Sequence, residues 1–142
     1  MATWIVSAGA EGRDYTEYFY RFGMAFVGGD SQRAAMAKVA PGDTILLKRG
    51  ITEFLAAGTV VKRANGDKEW LSDFDGWDLG GYCYVEWHVA EQPQPATGLR
   101  IGTIYQTTRS EHIAVGCALL AASVRSPETE PTPTIRWTTP RF

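Results

Sequence analysis

Short apolar runs alternate with polar and glycine-rich segments along most of the chain, and their periodicity predicts a series of small elements. Six of these runs are rich in β-branched residues or alternate in polarity, as strands do: TWIVSA, MAFVGG, DTILLKRG, EFLAAGTVVKR, YCYVEWHV and LRIGTIYQ. We therefore predict strands near residues 3–7, 23–28, 44–48, 54–62, 82–89 and 100–105. The third and fourth strands are joined by a glycine turn, which predicts a hairpin.

Helical periodicity appears in three places. Four aromatic residues at helical spacing precede Gly23, which predicts a helix near residues 14–22. A second helix is predicted near residues 31–38, between an N-cap candidate at Asp30 or Ser31 and a Pro-Gly turn, and EHIAVGCALLAAS predicts a final one. These crossover helices are too few for a parallel doubly wound sheet, so we expect an α/β (α+β) fold, a small mixed β-barrel of five or six strands with flanking helices.

The composition suits one compact domain. The chain has 142 residues, of which 44% are hydrophobic and 21% charged, and we expect residues 1–124 to form the domain, with the Pro- and Thr-rich residues 125–142 as a tail or linker. No run of about 18 apolar residues and no signal-peptide pattern is visible, which predicts a cytoplasmic protein without a membrane partner. Cys83 and Cys117 lack metal-ligand spacing, so we expect two buried apolar side chains, with neither a disulfide nor zinc.

Motifs for catalysis are missing from the sequence. The stretch DFDGWD places its glycine fourth and not sixth, which argues against a calcium loop. Neither AGAEGR nor VGGD has the ending of a phosphate-binding loop, and no serine or histidine stands in a nucleophile motif. We therefore expect a protein that is not an enzyme and that uses no cofactor and no metal.

Charge is distributed unevenly along the chain. The net charge is −2, but residues 51–98 carry three basic and eight acidic groups, whereas residues 99–142 carry five and three. A polyanion would therefore have to bind a local basic patch and not the whole surface. The candidates for contacts with a nucleic-acid backbone are Lys48, Arg49, Lys62, Arg63, Arg100 and Arg109.

Several short motifs, taken in order, resemble the PUA-like superfamily, and specifically its EVE and YTH-like branch. The chain matches this pattern with PGD at 41–43, AAGTVV at 56–61, DGW at 75–77 and VEW at 85–87, within a similarity that covers about residues 3 to 110. Members of this branch are small barrels that read modified bases in RNA or DNA. The resemblance implies a PUA-like barrel and a nucleic-acid partner.

In YTH-like members an aromatic cage holds the methylated base. Carried over by position, Trp77 aligns well, Trp70 stands near the second cage position, and Phe26 replaces the tryptophan of the second strand. Trp4 is predicted either to pack beneath the barrel or to line the pocket, and Trp87 to pack in the core by alternation along its strand. Carboxylates near the aromatic residues can accept a hydrogen bond from the amino group of a flipped base, and the candidates are Asp73, Asp75 and Asp78.

These features predict a module that recognises a modified, methylated base flipped into an aromatic cage. By resemblance, such a module is the specificity domain of a system that restricts modified DNA, in which it is fused to or associated with a nuclease or NTPase. The alternatives are a reader of RNA modification, and a protein-interaction or small-ligand module on the same barrel. A related RNA-modification enzyme is disfavoured because catalytic groups are missing.

Overall fold

A computed structural model describes residues 1–9, 14–61 and 80–122 of the chain. Its six strands are β1 (Thr3–Ser7), β2 (Met24–Val27), β3 (Thr44–Arg49), β4 (Glu53–Val60), β5 (Gly81–Pro95) and β6 (Ile104–Thr107). Its helices are α1 (Thr16–Phe22), α2 (Asp30–Met36) and α3 (Ser110–Ala122). The fold is mixed α+β, and the strands form one curled, half-barrel sheet.

The sheet has the order β2-β5-β4-β3-β1-β6. β1 and β3 are parallel, with Thr3 opposite Thr44 and Ser7 opposite Lys48, and the other described pairs are antiparallel. The predicted hairpin is confirmed, because β3 pairs with β4 across a turn that contains Gly50 with φ 62°. A mixed, largely antiparallel sheet with a single parallel pair is not the doubly wound alternative.

Both faces of the central strands are buried, which explains why their sequences are almost continuously apolar. Trp4 and Val6 point into a core that α1 and α2 cover, whereas Ile5 points to the other face, where it packs with Leu46 and Phe54 beneath α3. Burial of each large aliphatic or aromatic side chain contributes roughly 1.5–3 kcal/mol. The two clusters therefore hold the sheet between two helical layers.

Local sequence determines where the helices stop and start. α1 ends at Gly23, whose φ of 62° is the left-handed conformation that favours glycine, and its buried face carries Phe19. In α3 only Glu111 is charged, and apolar residues continue onto its outer side, where Ile113 is 39% exposed. No helix within the described ranges is long and apolar enough to cross a bilayer.

The structure corrects the sequence prediction in three places. β6 begins at Ile104, later than predicted, because the backbone of Arg100 bonds to side chains and not to a neighbouring strand. β5 runs on to Pro95, since its second half pairs with the start of β4. Cys83 is buried as expected, but Cys117 is exposed, since it lies on the outer side of α3.

Candidate nucleic-acid-binding site

The acidic aromatic segment that carries the predicted cage lies largely outside the described residues. This holds for Trp70, Asp73, Asp75, Trp77 and Asp78, and also for the basic residues Lys62 and Arg63. The described strand residues on either side are informative: Val60 pairs with Val85, and Gly81 pairs with Val27 at the end of β2. The segment therefore leaves β4 and enters β5 at the end of the sheet where β2 also ends.

Two predicted pocket residues lie in the core. Phe26 is 2% exposed, and its ring packs edge-on against Phe19 at 4.9 Å and against Tyr15 at 5.6 Å between centroids. Trp4 is 5% exposed, and its indole Nε1 donates a hydrogen bond of 3.0 Å to Asp43. Of the two positions predicted for Trp4, the structure therefore shows the one beneath the sheet.

Asp43, the last residue of the PGD motif, is a buried structural carboxylate. Besides the bond from Trp4, it accepts bonds from the backbone N–H groups of Ala2 at 3.1 Å and Ala40 at 3.0 Å. Burial alone would raise the pKa of Asp43, but these donors and the nearby N-terminal charge hold it below its ordinary value. The carboxylate thus joins the start of β1 to the turn before β3.

Lys48 does not stand at the surface as the sequence suggested. The side chain is 5% exposed, and its Nζ donates to the carbonyl oxygens of Arg100 at 2.7 Å and Gly50 at 3.3 Å. Burial lowers the pKa of Lys48, because an ammonium group loses solvation there. Its role in the structure is to connect the β3–β4 turn to the loop before β6, and a direct phosphate contact does not fit this position.

Exposed guanidinium groups remain available beside this connection. The Arg49 side chain is 60% exposed, and its Nε donates to Glu53 at 2.7 Å. The Arg100 guanidinium lies 4.2 Å above the ring of Tyr105, whose hydroxyl accepts a bond from the Arg100 N–H at 2.8 Å. Because Lys48 holds the Arg100 carbonyl, Arg49 and Arg100 belong to one basic rim.

The remaining basic candidate, Arg109, forms a separate exposed ion pair. Its terminal nitrogen lies 2.6 Å from a carboxylate oxygen of Glu111, and the two side chains are 50% and 49% exposed. The bond from Arg109 lowers the pKa of Glu111. Since surface ion pairs of this kind contribute little to stability, Arg109 can exchange its partner for a phosphate at small cost.

A cleft of about 170 Å³ opens where the parallel strands β1 and β3 end. Its walls combine small residues and backbone with two side chains of opposite charge, and it is lined by Ser7, Ala8, Gly9, Asp14, Thr16, Lys48, Arg49 and Gly50. Asp14 is held in place by α1, since one of its oxygens accepts bonds from the Thr16 N–H at 2.9 Å and hydroxyl at 2.6 Å. The basic residue of this cleft is Arg49, so the cleft and the basic rim are continuous.

Aromatic residues lie close to the same cleft. Tyr20 is half-buried, and burial, the negative charge of Asp14 and the opposing charge of Arg49 together raise its pKa to about 12. Its ring stands edge-on to Trp87 at 6.2 Å, while Trp87 stacks on Phe19 and donates its indole N–H to the Met24 carbonyl. Tyr20 is therefore a neutral phenol near neutral pH, and Trp87 is a structural residue between α1 and β5.

Sequence reasoning did not select three residues that organise this end of the molecule. Asp14 was visible only as a polar residue before a helix, and Tyr105 only as part of a strand. His112 is 2% exposed and connects two segments, with its Nδ1 2.9 Å from the Thr107 hydroxyl and its Nε2 2.7 Å from the Thr97 carbonyl oxygen. No local signal distinguishes such residues, because their partners come from other elements.

Comparison with known proteins adds no assignment. No protein-family model and no characterised protein matches this chain.

Proposed function

We propose that this protein is a nucleic-acid-binding module that recognises a modified, methylated base without catalysing a reaction on it. The proposal extends to the fold type and the context: a PUA-like, EVE/YTH-like barrel that serves as the specificity domain of a system restricting modified DNA, joined to or associated with a nuclease or NTPase. DNA is favoured over RNA as the partner.

The observation that supports this function best is the base-sized cleft at the edge of a basic rim. The cleft carries an acceptor and a donor group, Asp14 and Arg49, and Arg100 extends the rim on top of Tyr105. Nucleic-acid recognition requires these two components together: polar groups that read a base edge, and cations that hold the phosphate backbone. The topology is also compatible with the predicted cage, because the segment that contains Trp70 and Trp77 starts and ends beside β2.

Magnitudes favour a mechanism in which no single contact is sufficient. One buried methyl group contributes roughly 0.8 kcal/mol, which is less than a tenfold preference. Stacking adds about 1–3 kcal/mol per base, and extruding a base from a duplex costs a few kcal/mol. Phosphate contacts from exposed arginines must therefore supply much of the affinity, and the cleft with its cage must supply the preference.

Binding to fluorescent oligonucleotides tests the proposal. Strands that differ only in cytosine, methylcytosine, hydroxymethylcytosine or methyladenine are titrated with the full chain at two salt concentrations. We expect one modified strand to bind more tightly than its unmodified counterpart, with affinity that falls as salt rises. Equal binding of all strands, or binding that does not respond to salt, would contradict the proposal. A time course that shows an altered nucleotide would instead indicate an enzyme.

The alternative function is that of a protein-interaction module, and one specific observation favours it. An apolar groove of about 370 Å³ runs along α3 beside Gln94, lined by Ala114, Val115, Ala118, Leu119 and Ala122. Ala118→Glu places a charge in this groove without touching the cleft. Loss of oligonucleotide binding in this variant alone, with the rim variants unaffected, would move the binding surface to α3.

A further inference from the structure

We infer that the cleft at the ends of β1 and β3 accepts a pyrimidine with an amino group at position 4, a cytosine-type base, and that Asp14 reads this amino group. The inference rests on the proposed function and deepens it, since it names the class of base. It depends on three properties of the cleft: its volume, the charge of its walls and the way in which Asp14 is held.

The volume suits one aromatic ring. A cavity of about 150 Å³ inside a protein is sufficient to bind benzene. The cleft is slightly larger, about 170 Å³, and so accommodates a six-membered ring with small substituents. The fused rings of adenine and guanine exceed this volume, whereas a pyrimidine does not. Size therefore selects pyrimidines over purines.

The charge of the walls selects among pyrimidines. A carboxylate only accepts hydrogen bonds, and cytosine presents an amino donor at position 4, where thymine and uracil present a carbonyl oxygen. Asp14 would attract the amino group and repel the carbonyl. One Asp14 oxygen is engaged by Thr16, and the second has no hydrogen bond within the described residues, so it remains free to accept.

The opposite charge in the cleft complements the rest of the base edge. Arg49 uses its Nε to bind Glu53, and its two terminal nitrogens form no further bonds within the described part of the chain. Beyond its amino group, cytosine presents two acceptors, the ring nitrogen at position 3 and the carbonyl at position 2. A carboxylate and a guanidinium in one cleft therefore match the donor and acceptor ends of this edge.

The cleft is also held in shape by neighbouring backbone bonds. The Tyr15 N–H donates to the Ala8 carbonyl at 2.6 Å, and the Ser7 N–H donates to the Thr103 carbonyl at 2.7 Å. These bonds anchor the chain on both sides of the cleft before a ligand arrives. Preorganisation of this kind limits the entropy that binding would otherwise lose.

Asp14→Asn tests the inference, with Asp30→Asn as the matched control. The asparagine oxygen can still accept the bonds from Thr16, so the variant should retain its thermal melting point. Asp30 carries the same side chain on α2 outside the cleft, where it is 98% exposed. We expect the unmodified protein to prefer methylcytosine or hydroxymethylcytosine strands. Asp14→Asn should weaken this binding by about 5- to 150-fold, as loss of a specific base contact does, and Asp30→Asn should leave it unchanged.

The outcomes separate this inference from the proposed function. A protein that selects methyladenine, or that binds modified cytosine equally well as Asp14→Asn and as Asp30→Asn, would overturn the cleft assignment and leave the proposed function in place. A protein that selects no modified strand would overturn both. An Asp14→Asn protein that melts as the unmodified chain does and loses its preference for modified cytosine would support the assignment.

Discussion

Removal of the Asp43 carboxylate should destabilise the domain more than an ordinary surface substitution. The carboxylate accepts three hydrogen bonds, from the N–H groups of Ala2 and Ala40 and from the indole of Trp4. The bond from Trp4 is buried, so Asp43→Ala leaves a donor without water, at a cost of about 1–3 kcal/mol. The two half-buried backbone bonds add about 1 kcal/mol each. We therefore expect the free energy of unfolding to fall by about 3–5 kcal/mol.

A double-mutant cycle separates the Trp4 bond from the others. Trp4→Phe removes the indole N–H, and its cost should be smaller in the Asp43→Ala background, where the acceptor is already absent. The coupling energy should be about 1–3 kcal/mol. Urea denaturation followed by circular dichroism measures all four proteins at pH 7. A coupling energy below about 0.5 kcal/mol, within the error of additivity, would refute the assignment of Asp43 as the partner of Trp4.

The same carboxylate predicts a direction for the pH dependence of stability. The pKa of Asp43 is lower in the folded state than its ordinary value of 3.8. The folded state therefore binds its proton less readily than the unfolded chain does, and the stabilisation is present above the unfolded pKa. It is lost as the pH falls through the lower, folded pKa. Asp43→Asn should flatten this acid limb, and an unchanged slope below pH 4 would contradict the shift.

Three further predictions concern the aromatic residues, the exposed arginines and the buried histidine. Trp87→Ala should lower the free energy of unfolding by about 3 kcal/mol, because it truncates a large packed aromatic, whereas Trp77→Ala should remain folded and lose about 1–3 kcal/mol of affinity for the modified strand; thermal melting and oligonucleotide titration decide, and the reverse pattern would place Trp77 in the core. Arg100→Ala and Arg109→Ala should weaken binding to modified and unmodified strands by similar factors and flatten the salt dependence, and an effect on one strand alone would show that these residues read the base. His112→Ala should lower the free energy of unfolding by about 2–4 kcal/mol, since two bonds and a packed ring are lost, and a change below about 0.5 kcal/mol in urea denaturation would contradict this role.

The sequence identified the secondary structure well where the signals are local. A glycine that adopts φ 62° ends α1 at the predicted residue, and the hairpin of β3 and β4 forms around another glycine in the same conformation. Apolar runs without alternation correctly indicated buried strands, although they did not reveal that helices cover both faces. The start of β6 was not predictable, because it depends on bonds from Arg100 to Lys48, which is 52 residues distant, and to Tyr105.

The candidate site was less accessible to sequence reasoning. Lys48 and Arg49 are neighbours with similar side chains, yet one is buried against carbonyl oxygens and the other borders the cleft. Asp14 and Arg49 are 35 positions apart and meet only because β1 and β3 run in parallel and end together. An alternation pattern assigns a residue to one side of a strand, but it contains no information about which loops cover that side.

By itself, therefore, the sequence determined the kind, order and approximate bounds of the elements, because the periodicity of apolar residues and the conformational range of glycine act over a few neighbouring positions. The tertiary structure alone decided which polar residues are structural and which are available for binding. Asp43 and Lys48 became structural when distant donors and carbonyl groups enclosed them, whereas Asp14 and Arg49 remained at the open end of the sheet. The physical reason is that burial and hydrogen bonding of a charged group depend on groups brought together by chain closure over long separations, and no local propensity encodes them.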